Sequence, residues 1–389
     1  MQTLAIPKTL PSPHQHTRSG ATPQATVKLE RKAFVRALAM LAKITPKNPS
    51  MAAASSLHVT TSGHLVTLTA TDFELTLTTH LPSLERSAQS PEIDMLIPCL
   101  ELERVLKSDK GDFVLLEQFE GRAKIICERV AFEFPCAAPS GFPSPVPHGS
   151  PTLTLDAGQL SRALGRVLYA NDSRTYGGLA GVLLELSQQR SRVVSSDGYR
   201  LALADFDAPN TLPATAKLKP AKYLIPTARA RALERLFKTG ELSIAVAHNY
   251  LVCSTETMRL TLRLHDKTFP DYAQIIPTAS EFKLSADRAS VLRAIKHLQT
   301  NYREAEILVL SIDASSMTML LHDGDPSDHQ IVVVDSNVQN AIMLKYHLAR
   351  FTQAVASADE RFDMAFSLEG TTIISNQSQT LMALVKPQQ

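Results

Sequence analysis

Carboxylates and imidazoles crowd one short stretch, His322-Asp-Gly-Asp-Pro-Ser-Asp-His329, whose oxygen and nitrogen donors are of the kind that hold divalent cations. Its spacing does not match a calcium loop, in which ligands recur at alternate positions and a glutamate closes the set. A solvated hairpin is the expectation. His14 and His16 sit in a polar stretch without further ligands, and Cys99, Cys127, Cys136 and Cys253 contain no C-x-x-C pair, so no metal site and no cofactor are expected. Ser195 and Ser196 adjoin Asp197 but lack the G-x-S-x-G frame of a nucleophile elbow. No P-loop occurs, so any nucleotide hydrolysis must belong to a partner. A nuclease would need clustered carboxylates, whereas the acids here are dispersed. These observations predict a protein that is not an enzyme.

What does recur is basic side chains on helix faces. In the predicted helix 228–238, Leu233, Leu236 and Phe237 form one buried stripe, and Arg231, Arg235 and Lys238 lie on another face. In the first predicted helix Phe34, Leu38 and Leu41 make the stripe, with Lys32, Arg36 and Lys43 facing elsewhere. Arg162 and Arg166 stand beside Leu160, Leu164 and Val167, and Arg293 with Lys296 repeat the arrangement further on. Arg104 with Lys107, and Arg350, are weaker versions. On any one helix such charges are what a solvated face carries. Recurring on equivalent helices, they suit sequence-independent contact with phosphates. No zinc finger, basic zipper or recognition-helix pattern points to base readout.

The elements that must position these charges are repeated. Val27-Lys-Leu-Glu-Arg-Lys-Ala-Phe-Val-Arg-Ala-Leu38, Leu153-Thr-Leu-Asp-Ala-Gly-Gln-Leu-Ser-Arg-Ala-Leu164 and Phe282-Lys-Leu-Ser-Ala-Asp-Arg-Ala-Ser-Val-Leu-Arg-Ala-Ile295 each read as a short strand running into a helix. Leu29 and Leu155 lie 126 positions apart, and Leu155 and Leu284 lie 129 apart. Alternating strands follow, such as 66–77 and 192–203. Each copy then has a second strand and helix: 95–98 into 100–106, 223–226 into 228–238, and 342–346 into 348–356. The predicted fold class is α+β: three repeated domains, each with two helices packed on mostly antiparallel sheets. The predicted bounds are 26–149, 150–279 and 280–389. The proline-rich stretch 139–151 marks the first boundary.

The balance of 40 Lys+Arg against 38 Asp+Glu, a net charge of +2, excludes a uniformly basic coat and an acidic solvating tail. No apolar run reaches the roughly 18 residues of a membrane span, and no secretory apolar region opens the chain. Residues 1–25 are polar, with Pro7, Pro11, Pro13 and Pro23, and read as a disordered tail. An organelle transit peptide would carry more arginines and stronger amphipathicity. The cysteines read as core thiols of a reducing compartment.

Two phrases within the repeat carry a resemblance: Ser195-Ser-Asp-Gly-Tyr-Arg-Leu-Ala202 and His265-Asp-Lys-Thr-Phe-Pro-Asp-Tyr-Ala-Gln-Ile-Ile-Pro277. With the threefold repeat, residues 26–389 resemble the bacterial DNA polymerase III beta subunit, the DNA sliding clamp family. The resemblance implies three clamp domains per chain and a head-to-tail homodimer closing a ring of similar domains, with helices lining a hole for double-stranded DNA. It implies a cytoplasmic processivity factor with no membrane association, whose partners are the DNA polymerase III core, the clamp loader and other proteins carrying a clamp-binding motif. It places a partner-peptide pocket at Ser196, Gly198, Tyr199, Arg200, Leu201, Pro270, Gln274, Ile275 and Tyr346, completed by Leu384, Val385 and Pro387. It adds Lys47, Arg174 and Tyr176 to the DNA-contacting residues, and puts Phe132, Phe134 and Leu298 at the ring joint. The chain departs from the family at its end, where Lys386 and Gln388 replace apolar residues. Read by itself, Asp197-Gly198 predicts a β-turn with Arg200 pairing locally. A peptide-binding scaffold that never encircles DNA is the other reading, and it predicts no retention on circular DNA.

Overall fold

The computed structural model describes residues 22–48, 51–85, 91–128, 130–143, 153–171, 176–187, 190–207, 221–368, 371–376 and 382–385. The first repeat runs β1 (Ala25–Glu30), α1 (Arg31–Leu41), β2 (Ser56–Ser62), β3 (Leu65–Thr71), β4 (Leu75–Pro82), β5 (Asp94–Pro98), α2 (Cys99–Ser108), β6 (Phe113–Phe119), β7 (Arg122–Ile126) and β8 (Ala131–Pro135). The second runs β9 (Leu153–Asp156), α3 (Ala157–Val167), β10 (Gly181–Leu186), β11 (Arg190–Ser196), β12 (Arg200–Asp207), β13 (Ala221–Pro226), α4 (Thr227–Leu236), β14 (Glu241–Ala247), β15 (Tyr250–Ser254) and β16 (Met258–Arg263). The third runs β17 (Phe282–Asp287), α5 (Arg288–Asn301), β18 (Ile307–Ile312), β19 (Ser316–Leu321), β20 (Gln330–Ser336), β21 (Ile342–His347), α6 (Leu348–Ala356), β22 (Arg361–Phe366), β23 (Thr372–Asn376) and β24 (Met382–Val385). The element order is the same each time, and the named strands pair antiparallel.

Local chemistry explains the helix starts. Asp156 accepts the Gln159 amide at 2.6 Å, and Asp287 accepts that of Ser290 at 2.7 Å, satisfying donors that a helix N-terminus leaves open. Glu30 stands at the matching place before α1 without such a side-chain bond. Pro226 precedes α4, where its fixed φ suits the turn into a helix. Helix α4 ends at Leu236, two residues short of the expected end. Phe237 leaves the helical path, at φ −111°, yet stays buried, and Gly240 at φ +89° carries the chain into β14.

The helices pack in pairs, α1 with α2, α3 with α4 and α5 with α6, against the sheets. The stripes read from the sequence are buried: Phe34, Leu38 and Leu41; Leu160, Leu164 and Val167; and Leu233 with Phe237, while Leu236 is half-buried. The third repeat has a core of its own around Phe351, Phe362 and Phe366, whereas the first two share a continuous core.

The sheets cross from repeat to repeat. Strand β4 pairs with β16, Leu77 opposite Leu260, giving the order β5-β2-β3-β4-β16-β15-β14-β9. In the next repeat β12 pairs with β24, Leu201 opposite Leu384. Strand β20 holds the corresponding place in the third repeat. It pairs with β19 over Gln330–Val333 and meets β17 only at Val334–Ser336. In the first repeat β8 closes the four-stranded sheet β1-β6-β7-β8 as its edge. Among the described residues no helix is long and apolar enough to cross a membrane.

Phe351 is fully buried and stacks on Tyr346 at 5.1 Å between centroids. Replacing it with alanine is expected to cost about 3–5 kcal/mol of stability. The check is chemical denaturation, with a lower midpoint at unchanged slope.

Candidate functional site

The turn between β11 and β12 is anchored by its own side chains. Ser196 Oγ accepts the Gly198 amide at 3.1 Å and donates to the Arg200 carbonyl at 2.8 Å. Asp197 Oδ1 accepts the amides of Tyr199 and Arg200, each at 3.0 Å, and Gly198 takes φ +88°. Arg200 is buried and forms the local pair with Asp197 Oδ2 at 3.0 Å. It also reaches into the third repeat, donating to Gln353 Oε1 of α6 at 2.6 Å, and to the Tyr169 carbonyl at 2.8 Å. Its guanidinium lies 5.2 Å from the Tyr169 ring centroid. The arginine is therefore a strut between domains as well as a turn residue.

Against this turn stands the Phe269–Tyr272 segment. Phe269 and Tyr272 are buried and meet edge to face at 6.2 Å. The Tyr272 hydroxyl donates to Glu185 Oε2 at 2.6 Å and receives Arg192 Nη1 at 3.3 Å; Arg192 is in turn held by Asp205 at 2.9 Å. Burial first, then the hydrogen bond to Glu185, pushes the phenol up to about 12. Gly178 admits the third wall, because a Cβ there would lie 2.1 Å from the Thr268 carbonyl oxygen.

Between these segments is a cavity of about 220 Å³, lined by Leu179, Ser196, Gly198, Tyr199, Arg200, Leu201, Phe269, Pro270, Asp271, Tyr272, Ile275 and Thr371. It has room for one or two apolar side chains, with polar groups at its rim. Ser196, Gly198, Tyr199, Arg200, Leu201, Pro270 and Ile275, named from the sequence, come together here. Gln274 does not line it; its amide donates to Asp271 at 2.9 Å. Tyr346 is fully buried beneath, sharing a hydrogen bond with Thr372. The backbones of Leu384 and Val385 pair with Leu201 and Arg200 in the sheet; their side chains and Pro387 lie outside the described residues. Phe269, Asp271 and Tyr272 were legible in the Phe-Pro-Asp-Tyr phrase, whereas Leu179 and Thr371 had no sequence signal.

The basic residues separate into groups. Lys32, Arg36, Lys43, Lys47, Arg104, Arg162, Arg231, Arg235, Arg293 and Lys296 are exposed. Lys107 and Lys238 are also exposed but pair with Glu103 and Glu234 one turn away. Arg166 is half-buried and binds Asp359 at 2.7 Å, tying the second repeat to the third. Arg350 lies over the Tyr199 ring at 4.0 Å, at the pocket rim. Tyr176 is 84% exposed, and Arg174 lies outside the described residues. Of the residues expected at the ring joint, Phe134 and Leu298 are buried in their own cores and Phe132 is half-buried. The apolar groups exposed along or beside those edges are Val130, Ile331 and Val333, the last 81% exposed. In the acidic loop, Asp325 accepts the Ser327 amide at 2.8 Å and Asp328 the Tyr302 hydroxyl at 2.9 Å. The cysteines are free, and burial raises the thiols, Cys127 to about 11 and Cys253 to about 12.

A threefold α+β repeat with helix pairs over shared antiparallel sheets defines the sliding-clamp class of fold. Residues 154–271 match the family model of the DNA polymerase III beta subunit, central domain. The beta sliding clamp of Pseudomonas putida is 27% identical over 274 residues, 68% of this chain and 72% of that one. That of Caulobacter vibrioides is 22% identical over 309 residues, 76% and 80% of the two chains. The crystal structure of the Pseudomonas aeruginosa sliding clamp superposes with a TM-score of 0.83 at 19% identity, over 94% of this chain and all of that one. The Helicobacter pylori beta clamp bound to a DNA ligase peptide superposes at 0.81 and 17% identity, again over 94% of this chain and all of the other. In sequence and in fold the chain is thus similar to the bacterial DNA polymerase III beta subunits, the beta sliding clamps.

Arg200→Ala would leave the Asp197 carboxylate buried without its cation, an expected loss of about 3–5 kcal/mol. Arg200→Lys should recover only part, since an ammonium cannot serve Asp197, Gln353 and Tyr169 from one fork. Thermal unfolding of both variants checks this order.

Proposed function

We propose that the chain is a DNA sliding clamp, a non-enzymatic processivity factor. Two copies join head to tail, duplex DNA passes through the ring, and replication proteins dock short segments in the pocket beside Arg200. The observation that carries this reading is the repeated joint. Strand β4 is completed by β16 and β12 by β24. By the same rule β20 takes β8 of a second copy, and a two-fold dimer closes with two equivalent joints. Exposed Ile331 and Val333 on one edge, and Val130 with half-buried Phe132 on the other, supply apolar contact.

A closed ring holds DNA by topology, so its phosphate contacts can be weak and mobile. Exposed lysines and arginines on the helices suit that task, because salt-screened contacts to the backbone carry no sequence information and leave the ring free to slide. The mixed pairing, in which Lys107 and Lys238 already hold glutamates, tempers the attraction. The pocket is apolar within, which suits the apolar anchor of a docked peptide segment. Tethering a polymerase through it raises the enzyme's effective concentration at the primer end. The domain bounds 26–149, 150–279 and 280–389, and a cytoplasmic location beside bacterial DNA, belong to the same reading.

The test loads the chain, with a clamp loader, onto nicked circular plasmid, which is then cut once. Retention on the circle and loss on linearisation are expected; retention on linear DNA with free ends would overturn the ring. Changing Arg231, Arg235 and Lys238 together to alanine should lower processivity several-fold and flatten its salt dependence, with thermal unfolding preserved. Unchanged processivity removes these residues from the DNA face.

A further inference from the structure

The pocket rim carries a cation without an ion-pair partner among the described residues. Arg350 lies in the first turn of α6, with its guanidinium 4.0 Å from the centroid of Tyr199, a ring 60% exposed that also lines the pocket. No carboxylate among the described residues stands within ion-pair reach of Arg350. Asp197 on the neighbouring turn is already bound by Arg200. A cation over an aromatic face is held there by the ring quadrupole, and a guanidinium keeps N–H donors that can grip a carboxylate with two bonds. The first turn of α6 has no acidic residue, and the positive end of the helix adds to the local potential. His347, directly before the helix, is held below its ordinary pKa, by burial first and then by Arg350. From a separate segment of the lining, Asp271 offers the opposite charge. It is exposed, with the Gln274 amide on one oxygen and the Ala273 N–H on the other at 3.2 Å.

We infer that Arg350, held over the Tyr199 ring, is a specificity residue of the pocket and selects peptides that carry a carboxylate beside their apolar anchor. The inference rests on the peptide-docking reading above and adds the charge of the docked segment. Asp271, on the lining, reinforces the choice by disfavouring a second acid in the docked segment.

The experiment uses the full chain and three capped, fluorescent hexapeptides with a Leu-Phe anchor flanked by Asp, Asn or Lys, titrated by anisotropy at low and high salt. The Asp peptide is expected to bind about three- to tenfold more tightly than the Lys peptide at low salt, with the ratio shrinking at high salt. Arg350→Gln should bring the ratio near one, and Arg350→Glu should invert it, with thermal unfolding verifying the fold of each variant. Tyr199→Ala, which removes the platform, should lower the ratio. Equal binding of the three peptides by the native chain overturns this inference alone, as does a ratio that survives Arg350→Gln. If none of the peptides binds, the peptide-docking reading falls and takes this inference with it. Should Arg350→Glu reduce processivity on DNA while leaving the peptide ratio intact, the arginine serves phosphates and the inference is overturned.

Discussion

An edge strand leaves a row of amide and carbonyl groups without partners, and each repeat of this chain has such an edge. The first is satisfied by β16 and the second by β24, so backbone hydrogen bonds fuse neighbouring domains into common sheets. The rest of the architecture follows from that pairing. It brings the turn before β12 beside α6, where Arg200 can reach Gln353 and Arg350 can lie on Tyr199. The cavity lies against this seam, because the turn and the Phe269–Tyr272 segment converge there.

The same turn occurs twice with different consequences. In the first repeat Thr71 Oγ1 accepts the Phe73 amide at 3.0 Å, and Asp72 Oδ1 accepts those of Glu74 and Leu75 at 3.0 and 2.6 Å, matching the bonds of Ser196 and Asp197. Phe73 takes φ +73°, where Gly198 takes +88°. A phenylalanine in that conformation is uncommon and pays for its Cβ. A glycine avoids the strain and adds no side chain to the pocket wall. At the first joint Arg229 and Arg263 meet Asp72 and Glu74 as ion pairs, and at the second the partners are Gln353 and Arg350. One backbone device thus makes a plain joint in one place and a rimmed cavity in the other. In the third repeat Asp323-Gly324 opens the corresponding loop, but Asp325, Pro326 and Asp328 keep the chain out of strand geometry until Gln330. Proline supplies no donor to a ladder.

The net charge of +2 also gains a structural meaning. Several cations are consumed inside the fold: Arg200 by Asp197, Arg192 by Asp205 and Arg166 by Asp359. Others on α1, α3, α4 and α5 remain exposed. Charge balance over the whole chain is therefore compatible with local basic faces, and it argues against indiscriminate coating of nucleic acid rather than against contact with it.

The threefold repeat, the antiparallel α+β class and the buried helix stripes were legible in the amino-acid order. These rest on short-range periodicity: Phe34, Leu38 and Leu41 must share a helix face wherever the helix sits. Most of the pocket was legible there as well, because Ser196–Leu201 and Phe269–Tyr272 are contiguous phrases whose turns are set by their own side chains. The environment of each cation, by contrast, is set by packing. Arg166, Arg231 and Arg350 look alike in a helical register, yet one is paired across domains, one is exposed and one lies on an aromatic ring. Packing likewise decided that Leu179 and Thr371 complete the pocket, and that Ile331 and Val333 rather than Phe134 and Leu298 offer apolar surface. Helical and strand periods report which face a residue shares, whereas its partner is chosen by strand pairings between residues more than a hundred positions apart in the chain.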